Sequence, residues 1–279
     1  MKTLKDNVLL YDSECPMCQL YSSGFIYSGM LDKNGRMDYA QRDSNINLII
    51  DPDRARNEIA LVNLKDNTVN YGIFSLFAII GNSFPFLNRL FYFQPFTWVM
   101  RRIYSFISYN RRVIVCGSKP ESPTACNPDF SLKYRMAYVI FTLLVSSWLL
   151  KGFSPLLEDF WPVKGGWVSE LLLVVGQIVF QSFIFLLVSP HKSQQNLMDY
   201  LGNLMTVSLI GSLLLIPALA IHHFVSTLPL WFYLGWFAAV ISFMFFEHKR
   251  RVKVYDLPLA LSLSWVGYRI LVVGGSWLI

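Results

Sequence analysis

The spacing of apolar and polar residues changes character near residue 135. Before it, apolar runs are short and are broken by charged and turn-forming residues; after it, they lengthen toward the twenty or so needed to cross a bilayer. In the first part, Val8-Leu9-Leu10-Tyr11 reads as a short buried strand. The turn Asp12-Ser13-Glu14 leads into a helix that Pro16 suits at its first position and that Asn34-Gly35 can close. Arg36 to Ala40 predicts a second strand and Glu58 to Leu64 a third. Lys65-Asp66-Asn67 then turns the chain into Thr68 to Tyr71, which closes a hairpin. Ile73 to Ile80 is apolar and helical. The order strand, helix, strand, hairpin, helix describes a small α/β unit.

In the second part, stretches at Trp167 to Val188, Leu201 to Ile221, Leu228 to Phe246 and Leu257 to Ile279 predict membrane spans. A shorter one from Met136 to about Leu150, extendable toward Leu157, makes a fifth. The expected organisation is an α/β domain over 1–115, a linker over 116–132, and an all-α transmembrane domain of about five spans over 133–279.

Composition agrees: 54% of the 279 residues are hydrophobic, 15% are charged, and the mean hydropathy is +0.41, too apolar for an ordinary soluble domain. The net charge of +6 comes without a basic stripe or a nucleic-acid motif, which sets nucleic acid aside as a partner. Lys133, Arg135, His191-Lys192 and the run His248 to Lys253 fall on one side of five alternating spans, while the opposite loops add Lys164 to the bordering Lys151. By the positive-inside rule the amino-terminal domain is expected in the cytosol, as part of an integral membrane protein. Met1 to Leu10 carries charges and lacks a signal-peptide core, consistent with that expectation.

The chemistry is concentrated in Cys15-Pro16-Met17-Cys18, at the passage from strand to helix. A sulfur there caps the helix and feels the positive end of its dipole, which favours the nucleophilic thiolate. Cys15 is therefore expected to attack and Cys18, one turn on, to resolve. Asp12 is a candidate general base for Cys18, or simply a turn aspartate. In a reducing compartment a Cys-x-x-Cys pair is catalytic or metal-binding rather than a structural disulfide. A redox dithiol carries its own electrons, so no further cofactor and no metal is called for.

Leu10-Tyr11-Asp12-Ser13-Glu14-Cys15-Pro16-Met17-Cys18 resembles the signature of the DCC family of thiol-disulfide oxidoreductases, named for its Asp-Cys-Cys pattern, which Asp12, Cys15 and Cys18 match. Tyr71-Gly72 before an apolar helix, and Ile103 to Arg112, resemble the family's later helix and its closing Tyr-x-x-Ile-x-x-Asn-Arg segment. The similarity covers about residues 7–115 and departs at Ser13, where the family usually has Gly, and at Ser105, where Arg is common. It implies a thioredoxin-like fold and thiol-disulfide exchange, without naming a substrate.

Cys116 and Cys126 enclose a loop and read either as independent structural cysteines or as a second dithiol relaying electrons from the first pair; a zinc site shared by all four thiols is a further alternative. Ten aromatic residues between Phe84 and Tyr109 interleave with Arg89, Arg101, Arg102, Arg111 and Arg112, and Pro85 and Pro95 divide the stretch into short helices. Such a segment, 84–112, suits a membrane interface, with core packing as the alternative. Among the spans, Gln177 and Gln181 share a helix face, Arg269 interrupts the last span with Glu170, Glu247 or lipid as partners, and His222-His223 lies at a span end.

The sequence thus points to a membrane-anchored, cytosol-facing thiol-disulfide oxidoreductase whose partner is a disulfide-containing protein or small molecule, in contact with membrane lipids. The alternative is a membrane scaffold or transporter-like protein with a sensor or docking α/β domain, with or without zinc. Nothing in the sequence reports oligomeric state.

Overall fold

The computed structural model describes residues 2–117, 128–160, 166–225 and 228–276. The chain divides into two compact units, Met1–Tyr134 and Arg135–Ile279.

The first unit is built on a four-stranded mixed sheet of β1 (Asn7–Tyr11), β2 (Arg36–Asp38), β3 (Ala60–Asn63) and β4 (Thr68–Tyr71) in the order β2-β1-β3-β4. β1 and β2 are parallel, with Leu9 opposite Arg36; β1–β3 and β3–β4 are antiparallel, with Leu9 opposite Leu61 and Val62 opposite Val69. Successive strand residues face opposite sides. Val8 and Leu10 accordingly join Tyr39, Ile46 and Val62 in one core, while Leu9 joins Leu31, Leu61 and Ile79 in another. Both faces are covered, which is why the run Val8-Leu9-Leu10 is continuously apolar.

Helices α1 (Pro16–Tyr27), α2 (Ser44–Ile49), α3 (Pro52–Asn57), α4 (Ile73–Ser83), α5 (Asn88–Phe91) and α6 (Gln94–Ile114) surround the sheet. α1 ends well before the predicted stop at Asn34-Gly35: Ser28 caps it and Gly29, at φ 71°, takes the left-handed turn that releases the chain. α2 and α3 occupy the stretch between the second and third strands, for which the sequence reading offers no element. Each is opened by an aspartate whose carboxylate accepts backbone N–H groups, Asp43 from Ile46 and Asp51 from Asp53 and Arg54. Instead of a second short helix after Pro95, α6 is a continuous helix of 21 residues, because Pro95 lies in its first turn, where no N–H is needed.

The second unit is helical: α7 (Leu132–Phe153), α8 (Trp167–Val188), α9 (Gln194–Leu213), α10 (Ile216–Phe224), α11 (Leu230–Val254) and α12 (Ala260–Ser276). Among the described residues, four helical stretches are long and apolar enough to cross a membrane: Leu132–Leu157, Trp167–Val188, Gln194–Phe224 and Leu230–Val254. The chain is thus an α/β unit followed by a helical unit consistent with a membrane protein. The stretch read as shortest gives a full-length span, whereas Leu257 to Ile279 gives the shorter apolar helix Ala260–Val272 within the described residues. The third span steps from α9 to α10, with Pro217 in the first turn of α10.

The largest correction concerns the basic run His248 to Lys253, read as a loop. It continues α11, with His248 1% and Arg251 3% exposed. Arg251 lies at helical spacing from Glu247, with Nε 2.7 Å from Oε1, and its Nη1 donates to Asn203 Oδ1 at 2.9 Å. Arg135 pairs in the same way with Asp199, at 2.9 Å.

Candidate functional site

The loop from β1 to α1 is locked as a turn. Asp12 O accepts the Cys15 N–H at 3.2 Å, Asp12 Oδ1 accepts the Glu14 N–H at 3.0 Å, and Ser13 Oγ donates to Asp38 Oδ2 at 2.8 Å. Ser13, where the DCC signature has Gly, does not adopt a positive φ, and its hydroxyl ties the loop to the end of β2. Cys15 follows in extended conformation as the N-cap of α1, with Pro16 in the first turn. Its sulfur makes no capping hydrogen bond, although the Cys18 N–H still favours its thiolate.

Cys15 and Cys18 are free thiols, 2% and 3% exposed. Each sulfur is hydrogen-bonded to the other, so the pair titrates as a unit. Its first proton comes off at Cys18, lowered to about 6 chiefly by the S–H bond from Cys15; burial opposes this, and Arg111 and the Tyr21 hydroxyl assist. The remaining proton, on Cys15, is held well above the ordinary thiol range by that shared bond and by burial. Tyr21 is raised by burial and by the neighbouring Cys18 charge, so it stays a hydroxyl that donates to the sulfur.

The last turn of α6 supplies the cations. Asp12, 3% exposed, receives Arg112 Nη2 at 3.0 Å and lies 4.0 Å from Arg111 Nη2. Arg112 also reaches Glu14 Oε2 at 4.0 Å, and Arg111 donates to Arg56 O at 3.2 Å. Burial outweighs both arginines and raises the Asp12 pKa above its ordinary value. Asp12 thus makes the turn bond expected of it and is also a buried carboxylate with a raised pKa.

Sequence reasoning assigned Arg111 and Arg112 to the lipid interface and missed their place around Asp12, from which Arg111 also acts on the thiols. The available signal was their position in the closing segment of the resemblance, one turn from the end of a long helix. The remainder of 84–112 divides between the two readings given it. Phe91 stacks on Phe77 with centroids 4.2 Å apart, and Phe96 packs on both, while Phe86, Tyr92, Phe93 and Trp98 are exposed alongside Arg89, Arg101 and Arg102.

Cys116 is buried, and its neighbour Gly117 lies against the Cys-x-x-Cys turn. A Cβ on Gly117 would lie 3.0 Å from Pro16 Cδ and 3.1 Å from Glu14 O. Cys126 lies outside the described residues. Among those residues no three His, Cys, Asp or Glu side chains gather into a metal-ligand set. At the same end of the sheet as the cysteine turn, where β3 begins opposite the end of β1, Ile59 is engaged internally: its N–H donates to Tyr104 Oη at 2.8 Å, and its carbonyl accepts from Gly72 N at 2.8 Å and Ser75 Oγ at 3.2 Å. Burial pushes Tyr104 up to about 12.

Compared with family models, curated proteins and solved structures, the chain matches none.

Proposed function

We propose that this protein is a membrane-anchored thiol-disulfide oxidoreductase whose chemistry resides in Cys15 and Cys18. The reading rests above all on one observation: a buried dithiol at the N-terminus of α1, with a carboxylate and two arginines around it. The sheet order β2-β1-β3-β4, with β1 leading into the Cys-x-x-Cys helix, supports a thioredoxin-like description, and the DCC resemblance implies the same chemistry.

In the resting pair, above its first ionisation, the two sulfurs share one proton. Cys15 belongs to the cap outside the helix, whereas Cys18 is fixed within the first turn beside Tyr21 and Arg111. Placing that proton on Cys18 frees the Cys15 thiolate to attack a substrate disulfide; one S–S bond breaks, a mixed disulfide forms, and a substrate thiolate leaves. Asp12 then takes the proton from Cys18, which attacks Cys15 and expels the second substrate thiolate. The proton on Asp12 passes to a departing thiolate. The substrate disulfide gains two electrons, and the dithiol becomes a disulfide.

By the positive-inside rule, the basic residues Lys133, Arg135, His191 and Lys192, and those in the last turns of α11, support a cytosolic redox unit. The exposed aromatic and basic residues of 86–102 suit contact with lipid headgroups. Trapping with Cys18→Ser in native membranes tests the reading: stable mixed disulfides through Cys15 are expected, and an empty trap in chain that carries a reactive Cys15 thiol would argue for the scaffold alternative.

A further inference from the structure

We infer that the groove between α11 and α12 binds the head of a lipid-soluble quinone. The inference does not rest on the thiol chemistry, since it concerns the helical unit alone. The groove has a volume of about 620 Å3, within the range of pockets that hold small organic molecules. Ile241, Phe245 and Ile270 give it apolar walls, as a ligand arriving from the bilayer requires.

Two of its three polar side chains, Arg269 and Trp265, hold donors. Arg269 lines the groove with its guanidinium 5.2 Å from the centroid of the Trp265 ring, and its Nε has no hydrogen-bond partner. Trp265 is 1% exposed, and its indole N–H has no partner either. Ser242 already donates to Ala238 O at 2.8 Å. Glu170 acts on Arg269 from longer range. A site of unpaired donors calls for a ligand whose polar atoms accept, and buried donors reward such a ligand strongly.

The level of the groove narrows the choice. Ser242 and Arg269 fall near the middle of their helices, and Arg269 is about 14 Å from the start of α12 at 1.5 Å per residue. Phospholipid phosphates lie outside a hydrocarbon core of about 30 Å, so a neutral oxygen acceptor on an apolar body fits better than a phosphate. A quinone combines carbonyl acceptors with a flat apolar ring that suits the walls formed by Ile241, Phe245 and Ile270, while Trp265, already covered by Arg269, offers its N–H. The same indole stacks on His248 at 6.0 Å, and His248 contacts Tyr200 Oη and Ser262 Oγ, each at 3.3 Å, so the donor pair is braced from within the bundle.

The test is equilibrium binding of a decyl-substituted benzoquinone to the full-length protein in nanodiscs, corrected for partition into empty discs. Saturable binding is expected, weakened at least tenfold by Arg269→Gln and lost in Ile241→Trp, which fills the groove while leaving every donor in place. Non-saturable partition, or equal affinity for the wild type and Ile241→Trp, overturns the proposal. Tighter binding of decanoate than of the quinone overturns it in favour of an anion site. Should Arg269→Gln fail to fold, the Ile241→Trp comparison decides alone.

Discussion

Arg112 Nη2 lies 3.0 Å from Asp12 Oδ2, joining the end of α6 to the turn that carries the cysteines. The two residues are 100 positions apart in sequence. The carboxylate is nearly inaccessible and the guanidinium is partly exposed, so the pair asks more of Asp12 than of Arg112. Removing one partner strands a buried charge. Arg112→Met should destabilise the first unit by about 3 kcal/mol, measurable by denaturant unfolding of the full-length protein followed through protection of Cys15 and Cys18 from alkylation.

Asp12→Asn isolates the proton-transfer role. Asparagine still accepts the Glu14 N–H, so the turn survives, but it cannot take a proton from Cys18. General-base contributions are about 100-fold or more, and resolution of a preformed Cys15 mixed disulfide should slow by about that factor at pH 7. Quenched-flow mass spectrometry checks this; an unchanged rate would leave Asp12 only its turn bond.

The pH dependence of alkylation follows from the shared proton. The folded pair has its first pKa near 6, below the ordinary thiol value, so its thiolate is present above about pH 6 and is lost as the pH falls through it. Iodoacetamide labelling should show a midpoint there. Arg111→Met, which withdraws the cation, should move that midpoint up by about one pH unit. A profile centred near pH 9 in the wild type would refute the electrostatic account.

Gly117 gives a packing test. Its hydrogen faces the Pro16 ring and the Glu14 carbonyl, two groups that do not rotate away. Gly117→Val should cost about 1–3 kcal/mol through overpacking and speed alkylation of the cysteine pair by lifting the 116–117 segment from the turn. Alkylation rates before and after substitution read this directly.

Much of this architecture was legible in sequence because local signals and burial agreed. β1 stood out as an unbroken apolar run, the hairpin through Lys65-Asp66-Asn67, where Asn67 takes φ 52°, and α1 through Pro16. What escaped were features decided across the chain. Nothing local says that the last turn of α6 returns to Asp12, so Arg111 and Arg112 read as surface charges beside exposed aromatics. The basic end of α11 read as a loop because its burial depends on Asn203 of α9, 48 residues earlier. α2 and α3 are the opposite case: Asp43 and Asp51-Pro52 were visible helix starts, overlooked because neither helix exceeds six residues.

The central claim is that Cys15 and Cys18 form a reversible redox pair. Equilibrating the full-length protein in nanodiscs across glutathione ratios, and counting Cys15–Cys18 disulfide by peptide mass spectrometry, tests it most directly. The account predicts a single two-electron transition between dithiol and disulfide, abolished by Cys15→Ser. Thiols that stay reduced at every ratio, or a transition that survives Cys15→Ser, would contradict it.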